Sequence, residues 1–222
     1  MGIITIDKSD HLFWLGRYTE RVYTTLKDYF KSADLMIDSD PDYYKVLCRK
    51  IGIADIYGSS DNFKIKYAFD EADPHSIISS LNRAYDNAIV MRDYIGTETM
   101  AYIQLAIDDI KNAENSNSTI ADLMLVIDHI LAFWGCVNDG IDDEQIRNII
   151  KLGKGIERLD LYLSLEKPAH EVQMVYKRTK GFLSKAKLRY DESVIYTMDN
   201  MLSSPDFSYD NVKNLLRKLI LS

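Results

Sequence analysis

The chain has 222 residues, 46% of them apolar and 27% charged with both signs interspersed, a balance that supports a sizeable core in a soluble globular protein. Its net charge of −7 disfavours nucleic acid as a partner, because a phosphate backbone needs a basic face. Cys48 and Cys136 lie far apart and outside any paired-cysteine spacing, which implies neither a zinc site nor a disulfide framework, and the N-terminus lacks the basic-then-apolar pattern of a secretory signal.

Four prolines and ten glycines leave long uninterrupted segments, nearly all with apolar residues at helical period. Leu12, Leu15, Thr19, Val22 and Leu26 predict a helix over roughly 9–36. Asp40-Pro41 reads as an N-cap followed by proline at the first helical position, with Gly52 as the C-cap. Phe63, Ile65 and Tyr67 alternate, so Tyr57 to Phe69 reads as a short strand or a short helix. Asp73-Pro74 repeats the start signal before the stripe Ile77, Leu81, Ala84, Ala88 and Met91. Gly96-Thr97 breaks, Met100, Ile103, Ile107 and Ile110 follow, and Asn115 to Ser118 is a polar loop.

Ile120 to Val137 is very apolar, but Asp122, Asp128 and His129 interrupt it, so a central helix buried on most sides is expected rather than a membrane span. Acids from Asp139 to Glu144 suit the start of the next helix, carried by Ile149, Leu152, Ile156, Leu159 and Leu163. Lys167-Pro168 starts another, to about 188, and Ser204-Pro205 opens the last, with Val212, Leu215, Leu216 and Leu219. The expectation is an all-α, multi-helix bundle of about eight or nine helices, a single domain over 1–222 with a weak internal two-fold repeat.

The repeat is specific. Leu15-Gly16-Arg17-Tyr18-Thr19-Glu20-Arg21 returns as Leu152-Gly153-Lys154-Gly155-Ile156-Glu157-Arg158, with the same offset of 137 from Leu15 to Leu152 and from Arg21 to Arg158. Each copy places opposite charges in an amphipathic run. Arg17 and Arg21 are i,i+4 neighbours, which repel unless an anion lies between them. Gly16 and Gly153 each cost about 1 kcal/mol in a helix interior, and glycine there signals close approach of another backbone. The two motif helices are therefore expected to cross near their glycines, the Glu-Arg groups of each completing the other. Arg17, Glu20, Arg21, Lys154, Glu157 and Arg158 form the candidate polar cluster and possible ligand site. Arg83, Asn87 and Arg92 are candidates to extend it, Arg83 and Asn87 sharing a helix face.

Catalytic patterns are sparse. No Glu-x-x-His occurs for a di-iron bundle; Glu166 and His170 are four apart, with Pro168 between them. Asp139, Asp142, Asp143 and Glu144 read as helix-dipole complements, with no matching second motif for a magnesium site; Asp108-Asp109 stands alone. Asp128 and His129 are adjacent and point to different helix faces. No glycine-rich phosphate loop is present. No catalytic residue, metal or cofactor is expected. The run from Lys177 through Arg178, Lys180, Lys185 and Lys187 to Arg189 reads as a solvated face.

Phe13-Trp14-Leu15-Gly16-Arg17-Tyr18-Thr19-Glu20-Arg21 resembles the opening signature of the alpha-E domain family of bacterial proteins. The resemblance continues through Arg83-Ala84-Tyr85-Asp86-Asn87-Ala88, Arg92-Asp93-Tyr94-Ile95 and the second copy, covering roughly 5–188. It departs at Lys154 and Gly155, where members carry arginine and an aromatic. It implies a helical accessory or binding module, without catalytic activity of its own, for systems containing ATP-grasp-type amidoligases and transglutaminase-like proteins. A protein partner of that kind and a possible peptide or small-molecule ligand are the corresponding expectations, while the acidic balance, the charges within Ile120 to Val137 and the lack of a signal pattern lead to expecting no nucleic acid, no membrane and a cytoplasmic location. The alternative is an enzyme of peptide or amide metabolism, with Glu20 as acid-base and the arginines gripping an anion.

Overall fold

A computed structural model describes residues 4–116 and 119–220. In chain order the helices are α1 (Ile6–Asp38), α2 (Tyr43–Ile51), α3 (Ser60–Phe69), α4 (Ile77–Val90), α5 (Arg92–Ile95), α6 (Thr97–Glu114), α7 (Thr119–Asp139), α8 (Glu144–Ser164), α9 (Ala169–Ala186), α10 (Glu192–Leu202) and α11 (Tyr209–Leu216). The fold is all-α. Among the described residues, β-pairing is limited to an isolated bridge between Tyr190 and Ile220.

Among the described residues, eleven helices replace the expected eight or nine. The alternating stretch before Phe69 is helical as α3, because Ser59 caps the Asn62 N–H and Phe63 and Tyr67 bury one turn apart. α5 is a single turn set off at Met91, and α10 is started by Asp191, whose carboxylate accepts from the Ser193 and Val194 N–H groups. Two expected N-caps lie too early. Asp40 accepts from the Asp42 N–H at 2.9 Å, a turn that precedes the helix, which begins at Tyr43. Asp73 does the same to the His75 N–H at 2.8 Å, and Ser76 is the cap of α4. The last helix also begins late, at Tyr209, capped by Ser208. Gly52 closes α2 in the left-handed conformation, with φ 76°. Part of the polar loop expected at Asn115 to Ser118 (117–118) lies outside the described residues.

α1, 33 residues long, packs along both α4 and α8. α8 is clasped in turn by α1, α9 and α11, and α6 pairs with α7. The buried apolar side chains join into one cluster running from Leu12 to Leu219. α7 corrects an expectation: it is an outer helix resting chiefly on α6. By length and composition Ile120–Asp139 could cross a membrane, with hydropathy 1.8, yet only 39% of that window is buried, and Ile120, Met124, Leu125 and Leu131 are exposed. Its apolar residues ring the helix, so periodicity gave no buried side to choose. Cys48 is buried and Cys136 half-buried, both as free thiols.

Candidate functional site

The site begins with two glycines. A Cβ on Gly16 of α1 would strike the carbonyl oxygen of Ile150, and one on Gly153 of α8 would strike that of Phe13. The backbones of α1 and α8 therefore touch, and any side chain at either position would part them. Leu12, Leu15, Ile149 and Leu152 are fully buried around the crossing.

The same approach delivers the charges. Glu157 accepts from Arg17 Nε at 2.7 Å and from Arg21 Nε at 2.6 Å. Glu20 accepts from Arg158 Nε at 2.6 Å, from Arg158 Nη2 at 2.9 Å and from Thr24 Oγ1 at 2.7 Å. Each helix thus neutralises the arginines of the other. Both glutamates are 0% exposed, whereas the side chains of Arg17, Arg21 and Arg158 keep 20%, 28% and 25% of their surface. The guanidiniums lie on aromatic rings: Arg17 on Trp14 at 4.6 Å, Arg21 on Tyr18 at 5.6 Å and Arg158 on Tyr23 at 5.6 Å. Burial works against the charged form of Arg21, but the charge of Glu157 and its hydrogen bond prevail, and the pKa is raised; Glu20 does the same for Arg158. Charges held this way lock the helix crossing in register.

The two sides of the lock differ. Arg17 shares Glu157 with Arg21, but its counterpart Lys154 makes no ion pair with Glu20. The Lys154 ammonium sits 3.7 Å from the centroid of the Trp134 ring. Burial pushes its pKa down, Glu20 pulls the other way, and Arg158 and Lys151 add to the lowering, leaving it at about 8.

Five of the expected residues, Arg17, Glu20, Arg21, Glu157 and Arg158, meet in one cluster, with Lys154 beside it. The proposed extension does not join them. Arg83 Nη1 donates to the Pro74 carbonyl at 2.9 Å, and its guanidinium shares the Tyr18 ring with Arg21, 5.8 Å from the centroid, without an ion pair to either glutamate. Asn87 bonds the Arg83 carbonyl and lies 2.8 Å from His11 Nδ1. Arg92 is exposed beside Asp93. The other titratable candidates scatter. His129 faces Asp109 of α6 at 2.8 Å and not Asp128, Glu166 pairs with Lys50 at 2.9 Å, and Asp143 caps α8. Among the described residues, no three His, Cys, Asp or Glu side chains are grouped to hold a metal ion.

A cavity of about 270 Å³ opens between α7, α8 and α9. Trp134, Lys151, Lys154, Arg158, Arg178 and Phe182 line it. Gly155 makes it possible: a Cβ there would collide with Thr179, so α9 comes close and carries Arg178 in. Sequence reasoning missed Lys151 and Arg178. The spacing of Lys151, Lys154 and Arg158 at i, i+3 and i+7 was the available signal, since it puts three cations on one helix face.

No curated protein and no solved structure matches the chain. A family model, Alpha-E, described as a predicted alpha-helical domain with a conserved ER motif, matches residues 8–203. That span holds both Glu20-Arg21 and Glu157-Arg158, the two Glu-Arg pairs that close the crossing, and the chain belongs to the Alpha-E family.

Proposed function

We propose that the chain is a binding or accessory module without catalytic activity of its own, acting with an ATP-grasp-type peptide or amide ligase in the bacterial cytoplasm. One observation carries the first half of this reading. Glu20 and Glu157 are fully buried, and each is paired with arginine from the other helix, Glu20 also accepting from Thr24. A general acid or base must reach a substrate proton, directly or through one water. Here each carboxylate is committed to holding a helix. The ligase, or a transglutaminase-like protein beside it, rests on the family resemblance.

Affinity purification of the full chain from its native host tests the reading. Recovery of an ATP-grasp-type or transglutaminase-like protein, retained in moderate salt, is the expected result. Tight, salt-sensitive recovery of nucleic acid with no protein partner would overturn it, as would hydrolase or ligase turnover by the chain alone that Glu20→Gln abolishes without unfolding.

A further inference from the structure

We propose that the cavity between α7, α8 and α9 is a binding site for a small organic phosphate, its phosphoryl group held by Lys151, Lys154, Arg158 and Arg178 and its carbon skeleton set against Trp134 and Phe182. This stands apart from the choice of protein partner. The cavity is lined by four cationic side chains and no carboxylate. Arg158 is engaged by Glu20, but no carboxylate lies within ion-pair distance of Lys151, Lys154 or Arg178 among the described residues. Like charges gathered in a partly buried pocket repel one another strongly, and a dianion relieves all of them together. Burial is the first cause that lowers the pKa of Lys151 and of Lys154, and at Lys154 the charges of Arg158 and Lys151 add to it.

The wall adds a second indication. The Trp134 indole N–H is buried and meets no acceptor among the described residues. A buried donor without a partner is uncommon, and on a residue that lines the cavity a ligand oxygen would supply one. The cavity's volume of about 270 Å³ suits a small molecule and excludes a nucleic acid strand. A contrasting cavity on the far side of α8 has Arg17 and Arg217, but Asp10 and Asp160 share its lining, so its charge is already balanced.

Calorimetric titration of the full chain with phenyl phosphate, inorganic phosphate and benzoate is the test. Phenyl phosphate is expected to bind one per chain, more tightly than inorganic phosphate because of the aromatic wall, and more tightly than benzoate because of the dianion. Arg178→Ala, at an exposed position that leaves the fold intact, should weaken it about tenfold, the loss of one charge-assisted bond. Lys151→Ala should do likewise, and Arg217→Ala in the balanced cavity should change nothing. Binding should also alter the emission of Trp134 in a Trp14→Phe background. Absence of saturable phenyl phosphate binding in the millimolar range overturns the proposal. So does binding that Arg178→Ala leaves unchanged, or benzoate bound as tightly as phenyl phosphate.

Discussion

Glu157 neutralises two guanidiniums and Glu20 only one, so the two halves of the lock are chemically unequal despite the repeated sequence. Removing a buried partner leaves its counter-ion stranded, at about 3–5 kcal/mol when water cannot reach it. The arginines keep some exposure, so Glu20→Ala is expected to cost about 2–4 kcal/mol, and Glu157→Ala more, because it strands Arg17 and Arg21 together. The double variant should fall short of the sum by more than about 0.5 kcal/mol, since the residues share one network. Equilibrium urea unfolding of the four proteins measures all three values. Unchanged stability in Glu20→Ala would mean that the cluster does not hold the crossing.

Lys154 gives the opposite sign. Its neighbours are Glu20 from α1, Lys151 and Arg158 on α8, Arg178 from α9 and the ring of Trp134 from α7. With a folded pKa of about 8 against an ordinary 10.5, the unfolded chain binds more protons between those values. Stability therefore rises with pH across that window, and below it the full cost of burying the ammonium is present. Lys154→Met is expected to raise stability at pH 7 by about 1–2 kcal/mol, the cation–π contact offsetting part of the gain, and to flatten the rise from pH 8 to 10. Unfolding curves at pH 7 and pH 10 check both the size and the direction.

Among the helices, glycine has two meanings, and alanine substitution separates them. Alanine gains about 1 kcal/mol over glycine in a helix interior when nothing obstructs it. Gly135 on α7 has open space where a Cβ would go, so Gly135→Ala should stabilise by about 0.5–1 kcal/mol. At Gly16 and Gly153 the same change drives a methyl group into a backbone carbonyl, which cannot step aside without moving a helix. Gly16→Ala and Gly153→Ala should each destabilise by about 3 kcal/mol or more. Denaturation midpoints of the three variants give the comparison.

The crossing helices were legible in the sequence because an interior glycine followed by a Glu-Arg pair, twice, is a local pattern with one economical explanation. Other features were not. An aspartate that makes a turn and an aspartate that caps a helix look alike until the backbone is seen, and Asp40 and Asp73 proved to be the former. The outer position of α7 depends on which helix arrives to cover it, which its own residues do not encode. The basic cavity needs α9 beside α8: Arg178 is exposed, as the basic run implied, and its place at the cavity follows only from the approach of Thr179 to Gly155.

At the scale of the whole molecule, one cluster of buried side chains joins helices from both ends of the sequence. The C-terminal segment is tied in as well: the Asp191 N–H donates to the Leu219 carbonyl at 2.9 Å, and Val212 and Leu219 are buried. Trp134 on α7 belongs to this cluster, whereas Trp14 on α1 is exposed outside it. The chain is expected to unfold in one transition, with far-ultraviolet circular dichroism and tryptophan emission coinciding along the denaturant axis. Separate midpoints would show that α6 and α7 come away on their own.

The reciprocal crossing also has a consequence in time. Its two halves are 137 residues apart, so on a ribosome adding about 5–20 residues per second, α1 waits roughly 7–27 s for its mate. Throughout that interval its glycine notch lies bare, an inviting berth for any passing apolar helix. Glu20, Arg17 and Arg21 stand along the notch as hydrated ions, and a helix without matching charges would have to strip them of water to settle there. α8 alone brings a carboxylate for the arginines and a guanidinium for the glutamate. The residues that fasten the finished protein therefore guard the nascent one, keeping the berth wet until the correct helix has been made.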